Sequence, residues 1–300
     1  MSSDGDYLHG YGESEMRRLQ GQHHGLEHQM GGLVLAPLDI NSENLKILDS
    51  GTADGYWLRE LSRNVPASCQ LFGTDVSTAG FPADLPPNIH LHKQPVTDPW
   101  PESWKSSFDL VHQRATLPAI QAVDCQAAVK NLAELLKPGH GWLQLVEPNI
   151  SSYLTDEEAA RFPALGEFSK LMGEIFPRLG HNPSPGPLLR AWLAEAGLRS
   201  VDEKIVDLPI GKSAADPVLG EAAKHNVLQV FDGFHAAAAS EFRPLYSIAL
   251  FRMILTACTT DLPDLPYTAE YFEDVRQRLA AEADAVGGMI RWHVVWGQRV

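Results

Sequence analysis

Two glycines and an aspartate form the clearest ligand-binding pattern in the sequence. Gly51 and Gly55 frame a turn of small residues, DSGTADG, that follows a short apolar run. Glycine lets a ligand approach the backbone closely, and the start of the next helix offers unpaired N–H groups. Asp75 ends the second apolar run, where a carboxylate can accept hydrogen bonds from both hydroxyls of a ribose. The pattern predicts a nucleoside ligand, a class that includes NAD.

Apolar segments that alternate with helical segments must position these residues. The predicted strands are residues 46–49, 70–76, 88–94, 108–114, 141–148, 200–206 and 289–300. The predicted helices are residues 13–33, 56–64, 125–136, 153–179, 185–198, 214–258 and 268–285. This alternation predicts an α/β fold with a doubly wound, mostly parallel sheet and helical additions, not two independent domains. Such sheets bind ligands outside the carboxyl ends of their strands, where the strand order reverses.

The composition disfavours several classes of partner. The chain has a net charge of −14 and no dense basic run, and phosphate binding needs clustered Lys and Arg. The three cysteines are widely spaced and predict neither a disulfide framework nor a zinc site. The N-terminus has no signal-peptide pattern, and the most apolar window, YSIALFRMILTAC, is too short to span a bilayer. We expect a cytoplasmic protein that binds neither nucleic acid nor membranes; its oligomeric state is left open.

Four longer motifs narrow the choice of ligand. DSGTADGYW resembles the glycine-rich motif of class I S-adenosylmethionine-dependent methyltransferases, and FGTDVS resembles their ribose-binding segment. LLKPGHGWLQLVEP and AWLAEAGLRSV are similar to later segments of that family. The match keeps the family's order from about residue 45 to 206, which makes it more specific than a single glycine motif. Two shorter patterns, FDLVHQR and the N-terminal spacing from Tyr7 to His23, resemble fungal methyltransferases of secondary metabolism such as the gliotoxin-type N-methyltransferases.

The resemblance implies an architecture and a reaction. The core would be a seven-stranded, Rossmann-like sheet that binds S-adenosylmethionine. A helical arm over residues 1–40 and helical inserts at about 151–184 and 211–285, within a core over 41–300, would form a lid around a small-molecule acceptor. The enzyme would transfer a methyl group to an oxygen or a nitrogen of that acceptor.

The resemblance also assigns cofactor contacts to particular residues. The loop residues Gly51, Thr52 and Ala53 would hold the methionine part of the cofactor. Asp75 would bind the ribose, and Val76 would pack on the adenine. Val96 and Thr97 would lie along the edge of the adenine ring.

The sequence departs from the family pattern at two positions. Many relatives carry an acid that accepts from the adenine amino group where this chain has Pro95. Asp98 or the main chain of Val96 would have to replace that contact. Ala53 stands where the motif has glycine, and we expect alanine to be tolerated there if its φ is negative.

Five further cofactor contacts are predicted, each with a plain structural alternative. Asp49 orients the glycine loop or simply ends a strand. Gln113 and Arg114 end the fourth strand at the mouth of the predicted site, where they touch the cofactor or only terminate the strand. Tyr7 and Gln22 belong to an arm that folds over the cofactor or is an amphipathic surface helix.

A general base is needed only if the acceptor must lose a proton early. Three histidines, His112, His225 and His235, are candidates for such a base, and Glu147 is a candidate acid of the site. For the histidines the alternative is ordinary packing, and for Glu147 it is the end of the fifth strand. His181, His225, His235 and His293 have no ligand spacing among them, so no metal site is predicted.

Two other functions remain open from the sequence. A protein of this fold can bind S-adenosylmethionine and act as a pericyclase or a regulatory subunit, and the missing adenine-binding acid and the lack of an obvious base leave room for that function. A nicotinamide-dependent reductase also needs an acid after its second strand, but the glycine fingerprint GxGxxG is incomplete here.

Overall fold

The computed structural model describes residues 13–238 and 267–300 of the chain, with side chains over 14–232 and 267–300. The strands are β1 (Lys46–Ser50), β2 (Gln70–Asp75), β3 (Ile89–Lys93), β4 (Leu110–Arg114), β5 (Trp142–Asn149), β6 (Arg199–Ile210) and β7 (Gly288–Gln298). The α-helices are α1 (Glu13–Met30), α2 (Tyr56–Leu61), α3 (Cys125–Leu135), α4 (Asp156–Arg161), α5 (Pro163–Arg178), α6 (Leu189–Glu195), α7 (Pro217–Ala238) and α8 (Ala269–Ala285). The remainder of the helical region predicted over 214–258 lies outside the described residues.

The seven strands form one sheet in the order β3-β2-β1-β4-β5-β7-β6. β1 pairs in parallel with both β2 and β4, and the pairs β2–β3 and β4–β5 are also parallel. The chain steps outward from β1 to β3 and then continues at β4 on the other side of β1. The strand order therefore reverses between β1 and β4, which is where doubly wound sheets bind their ligands. The predicted seven-stranded, mostly parallel, Rossmann-like sheet is confirmed.

An apolar core beneath α2 holds the central strands together. Ile47 pairs with Leu71 on one side and with Leu110 on the other. All three are fully buried, and Leu58 and Leu61 of α2 pack in the same cluster. Burial of one such side chain contributes about 1.5–3 kcal/mol to folding. This packing fixes the carboxyl ends of β1 and β4 next to each other.

The region predicted as one helix over 153–179 contains two helices. Thr155 begins α4 with a capping box that it forms with Glu158. α4 ends at Arg161 and α5 starts at Pro163. Proline has no N–H for the helical ladder and is favoured at the first helical position, so it separates the two helices.

The chain divides into two compact units, which are described separately. The helical unit takes its described residues from Met1–Gln29, Asn149–Ser184 and Asp207–Arg291. The sheet unit comprises Met30–Pro148, Pro185–Val206 and Trp292–Val300. The predicted arm over 1–40 and the inserts at about 151–184 and 211–285 stay a prediction.

The helical unit packs around buried aromatic rings. The ring of Phe231 in α7 lies 6.0 Å from that of Phe168 in α5 and 5.7 Å from that of Phe272 in α8. Arg18 joins α1 to α7, because its guanidinium donates both to Glu15 and to Asn226. Among the described helices, none is long and apolar enough to cross a membrane.

Candidate functional site

The carboxyl ends of β1 and β4 place four polar side chains in two adjacent rows. Asp49 pairs with His112, and Ser50 pairs with Gln113. Successive side chains of a strand point to opposite faces, so the two rows lie on opposite sides of the sheet. The indole of Trp57 in α2 stacks on the His112 ring at 4.0 Å, which assigns the Asp49 row to the α2 face.

The glycine loop between β1 and α2 is attached to the end of β2. The N–H groups of Gly51 and Thr52 both donate to the carbonyl oxygen of Thr74, at 2.8 and 2.9 Å. Gly51 has a φ of +72°, and a Cβ atom placed there would overlap the hydroxyl oxygen of Thr116. Both the backbone conformation and the space require glycine at this position.

Ala53 lies in the same loop with a φ of +53°. The expectation that alanine is tolerated there through a negative φ is wrong. The left-handed conformation of a residue with a Cβ costs about 1–2 kcal/mol. The loop is therefore left-handed at this position, and alanine bears the strain.

Asp75 lies beside this loop at the end of β2 and is only 7% exposed. Its Oδ2 accepts from the N–H of Ala53 at 3.0 Å, and its Oδ1 accepts from the N–H of Ser77 at 3.1 Å. A carboxylate oxygen can accept more than one hydrogen bond, and the hydroxyl groups of a ribose are suitable donors to it. The carboxylate fixes the loop and remains suited to a ribose.

Asp49 and His112 form a buried pair beneath α2. Asp49 Oδ1 lies 2.7 Å from His112 Nδ1, and Asp49 Oδ2 accepts from the Thr52 hydroxyl at 2.7 Å. Burial lowers the pKa of His112, although the bond to Asp49 raises it. The imidazole is therefore neutral at pH 7, with its proton on Nδ1 directed at the carboxylate. The predicted role of His112 as a base stays a prediction.

The opposite face carries buried polar atoms that form no hydrogen bond with any described residue. They are the hydroxyls of Ser50 and Thr74 and both amide atoms of Gln113. Thr74, Ser50 and Gln113 are register partners across β2, β1 and β4, so they lie side by side. A buried polar atom without a partner costs about 1–3 kcal/mol, and most native proteins avoid it. A row of such atoms at the topological switch point fits a polar ligand that completes their hydrogen bonds.

Glu147 lies near the carboxyl end of β5 on the same face and is fully buried. Its Oε1 accepts from the N–H groups of Thr116 and Leu117 at 3.1 and 3.2 Å, while Oε2 has no partner among the described residues. Burial raises the pKa of Glu147 to about 8, against these bonds and the nearby Gln113 amide, which lower it. Gln113 is close enough to act on the carboxyl group but makes no hydrogen bond of normal geometry with it. At pH 7 the group is mostly an uncharged acid.

Residues 22–203 match the family described as "Methyltransferase domain". The chain belongs to this methyltransferase family. Its relatives include "N-methyltransferase gliN" of Aspergillus fumigatus, which is 40% identical over 99% of this chain and 98% of that protein. "N-methyltransferase sirN" of Leptosphaeria maculans is 38% identical over 99% of this chain and 95% of that protein. "N-methyltransferase tcpN" of Claviceps purpurea is 39% identical over 67% of this chain and 72% of that protein.

The methyltransferase places its other predicted cofactor residues at neighbouring strand ends. Val76 follows β2 and is half-buried, and Arg114 ends β4 and is half-buried. Val96 is buried in the turn after β3, and Thr97 beside it is exposed. These four positions lie at carboxyl ends of parallel strands, as the resemblance implies, and their contacts with a cofactor stay predictions.

Two predicted residues belong to the helical unit. Gln22 of α1 is buried and donates to Asn226 of α7 at 3.3 Å. His225 of α7 is exposed and lines a cavity of about 550 Å³ with Pro217, Val218, Glu221 and Ala222. Tyr7 and the side chain of His235 lie outside the described residues. The roles of all four stay predictions.

One group of described side chains in the methyltransferase has the donor atoms of a metal site. His23, His24 and Glu27 lie on α1, and Glu27 Oε2 is 3.7 Å from His23 Nε2 and 4.0 Å from His24 Nδ1. Because Glu27 follows the two histidines by one helical turn, these distances are also those of ordinary side-chain pairs on a helix.

Sequence reasoning missed several polar residues of the site. Ser50 and Thr74 are small polar residues within strands, and only the register shows that they flank Gln113. The Thr116 side chain lies next to Gly51, and no sequence motif marks the turn to which Thr116 belongs. Gln144 did leave a signal, because it is the polar residue inside the apolar run GWLQLVEP.

Proposed function

We propose that this methyltransferase uses S-adenosylmethionine to methylate a nitrogen of a small molecule. The observation that carries the proposal is the row of buried, unpartnered polar atoms at Thr74, Ser50 and Gln113 beside the glycine loop. Asp75 follows Thr74 at the end of β2, and Glu147 lies on β5, the strand next to β4. The choice of nitrogen rests on the relatives, three of which are named N-methyltransferases.

The residues present fit this cofactor. The left-handed loop at Gly51 and Ala53 brings main chain to the surface of the crevice, where an amino-acid tail can bind. Asp75 lies beside this loop at the end of β2, where its carboxylate can accept from the ribose hydroxyls. The bound cofactor supplies an electrophilic methyl group on a sulfonium.

The protein's contribution to the reaction is mainly alignment. Holding a nucleophile and a methyl carbon in line supplies a large part of the reduction in the barrier. A neutral amine needs no base before it attacks, and only a protonated amine must first lose its proton. Glu147 is buried, half satisfied by two N–H donors, and has an oxygen left to receive such a proton when it is ionised.

The acceptor is a small molecule in this proposal because the chain lacks the features of a polymer-binding protein. Its net charge of −14 opposes nucleic acid and acidic surfaces. We place the enzyme in the cytoplasm, where its widely spaced cysteines stay reduced.

Isothermal titration calorimetry with S-adenosylmethionine and S-adenosylhomocysteine tests the cofactor. The full chain should bind both, and Asp75→Ala should weaken binding at least tenfold. Asp84→Ala is the matched control, because Asp84 is exposed in the loop between β2 and β3. Failure of the wild-type chain to bind either compound, or binding of NADH in their place, would contradict the proposal.

A transfer assay tests the reaction. The chain is incubated with methyl-labelled S-adenosylmethionine and a panel of small amines and matched alcohols. Label should appear on amines. Binding of the cofactor without transfer to any amine, or transfer to alcohols alone, would contradict the proposed chemistry.

A further inference from the structure

A second row of buried polar side chains crosses the sheet beneath α2. Asp49 of β1 pairs with His112 of β4, and His112 pairs with Gln144 of β5. The three side chains are 3%, 1% and 0% exposed. Register partners in neighbouring parallel strands share a face, so the row continues from β1 to β5 on the α2 side.

At one end of this row, Asp49 is hydrogen-bonded to the glycine loop. Asp49 uses one oxygen for His112 Nδ1 and the other for the hydroxyl of Thr52, both at 2.7 Å. Thr52 lies in the loop itself, and its N–H donates to Thr74. The side chain and the main chain of Thr52 are thus fixed by two different strands.

The other end of the row holds the segment that follows α1. The amide oxygen of Gln144 accepts from the N–H groups of Leu35 and Ala36 at 2.6 and 3.0 Å. Its amide nitrogen donates to the carbonyl oxygen of Leu33 at 2.9 Å. Three hydrogen bonds from one side chain determine the path of this segment across the sheet.

The position of His112 argues against direct contact with an acceptor. Its ring is nearly parallel to Trp57, with an interplanar angle of 2°, and is covered by it. His112 Nε2 is itself buried without a partner among the described residues, but it lies on the α2 face, whereas the unpartnered atoms of Ser50 and Gln113 lie on the opposite face of the same strands. A proton from a substrate on that face would have to cross the sheet to reach the imidazole.

We propose that His112 is a positioning residue, which donates from Nδ1 to Asp49 and so holds Asp49 where it fixes Thr52 and the cofactor loop. The inference rests on the proposed cofactor. It assigns to His112 the role of a donor in place of the role of a base. Gln144, the register partner of His112 on β5, directs its own hydrogen bonds to Leu33, Leu35 and Ala36.

Two substitutions at His112 distinguish the contribution of its aromatic ring from that of its N–H donor. His112→Asn keeps an N–H donor close to the place of Nδ1 and removes the ring. His112→Phe keeps a ring that can stack on Trp57 and removes the donor. The matched control is His90→Asn, because His90 is exposed on β3.

The measurements are the dissociation constant for S-adenosylhomocysteine and the melting temperature of each variant. We expect His112→Phe to weaken binding at least tenfold, His112→Asn to stay within threefold of wild type, and the control to match wild type. Thr52→Val removes the other donor to Asp49 and should weaken binding at least fivefold. This variant keeps the test decisive if His112→Phe does not fold.

Nitrogen NMR of the histidine-labelled chain provides an independent signature. The His112 resonances, assigned by their loss in His112→Asn, should show a neutral ring protonated at Nδ1. Equal binding by His112→Phe and wild type, binding by His112→Asn as weak as that by His112→Phe, or a proton on Nε2 would each overturn the inference. If wild type itself binds no S-adenosylhomocysteine, the proposed cofactor fails instead.

Discussion

Replacement of Gly51 by alanine should damage the loop in two separable ways. The φ of +72° disfavours any residue with a Cβ, at a cost of about 1–2 kcal/mol. The new methyl group would also overlap the Thr116 hydroxyl and come within 3.2 Å of its Cγ2 and 3.3 Å of its Cβ. Overpacking of this kind adds about 1–3 kcal/mol.

Gly139 offers a control in which only the first effect operates. Its φ is +84°, and a Cβ there would meet nothing within 4 Å. Gly139→Ala should therefore cost only the backbone strain. The difference in free energy of unfolding between the two variants should be about 1–3 kcal/mol, or about 2–10 °C in melting temperature.

Chemical and thermal denaturation measure the stabilities, and titration with S-adenosylhomocysteine measures the function. Gly51→Ala should weaken binding at least tenfold, and Gly139→Ala should not change it. Adding Thr116→Ala to Gly51→Ala should recover the overpacking part of the loss but not the backbone part. Equal stabilities for the two single alanine variants would refute the reasoning.

Three other outcomes are expected. Ala53→Gly should leave the free energy of unfolding unchanged or raise it by up to about 1 kcal/mol, because strain is relieved while the unfolded chain gains entropy. The control Ala133→Gly, at a buried position of α3, should lower the free energy of unfolding. A destabilised Ala53→Gly variant would contradict the left-handed loop. The folded-state pKa of Glu147, about 8, lies above its unfolded value, so the folded chain binds this proton more tightly. Stability should therefore fall as pH rises from about 5 to 8 in wild type but not in Glu147→Gln, as followed by urea unfolding at each pH. Burial raises the pKa of the Cys125 thiol to about 12, so mass spectrometry should find this cysteine unmodified by iodoacetamide at pH 8 until the chain is unfolded.

The features that the sequence predicted best are those that depend on local patterns of residues. β1, β2 and β4 are short apolar runs that end at polar or small residues, and their carboxyl ends were predicted within a residue or so. Asp75 was predicted to end the second strand, and it does, because its distance from the glycine loop is set by one helix and one strand. These features require few long-range contacts, so the chain order alone carries them.

The features that the sequence did not predict depend mainly on which strands become neighbours in the sheet. Ser50, Thr74 and Gln113 form a row only because β1 lies between β2 and β4. The sign of φ at Ala53 depends on the hydrogen bonds that the loop makes with β2 and Asp75. Pro163 was a local signal for a break between two helices, but the helical periodicity on both sides of it obscured that signal.

The position of β7 has a consequence for biosynthesis. It follows all the other strands in the chain, yet it lies between β5 and β6. While the ribosome is still making α8, the growing sheet has a gap, and β5 and β6 each present a bare edge of N–H and C=O groups. Such edges invite pairing with other chains. We therefore expect the nascent chain to be most prone to such pairing before β7 is inserted between β5 and β6.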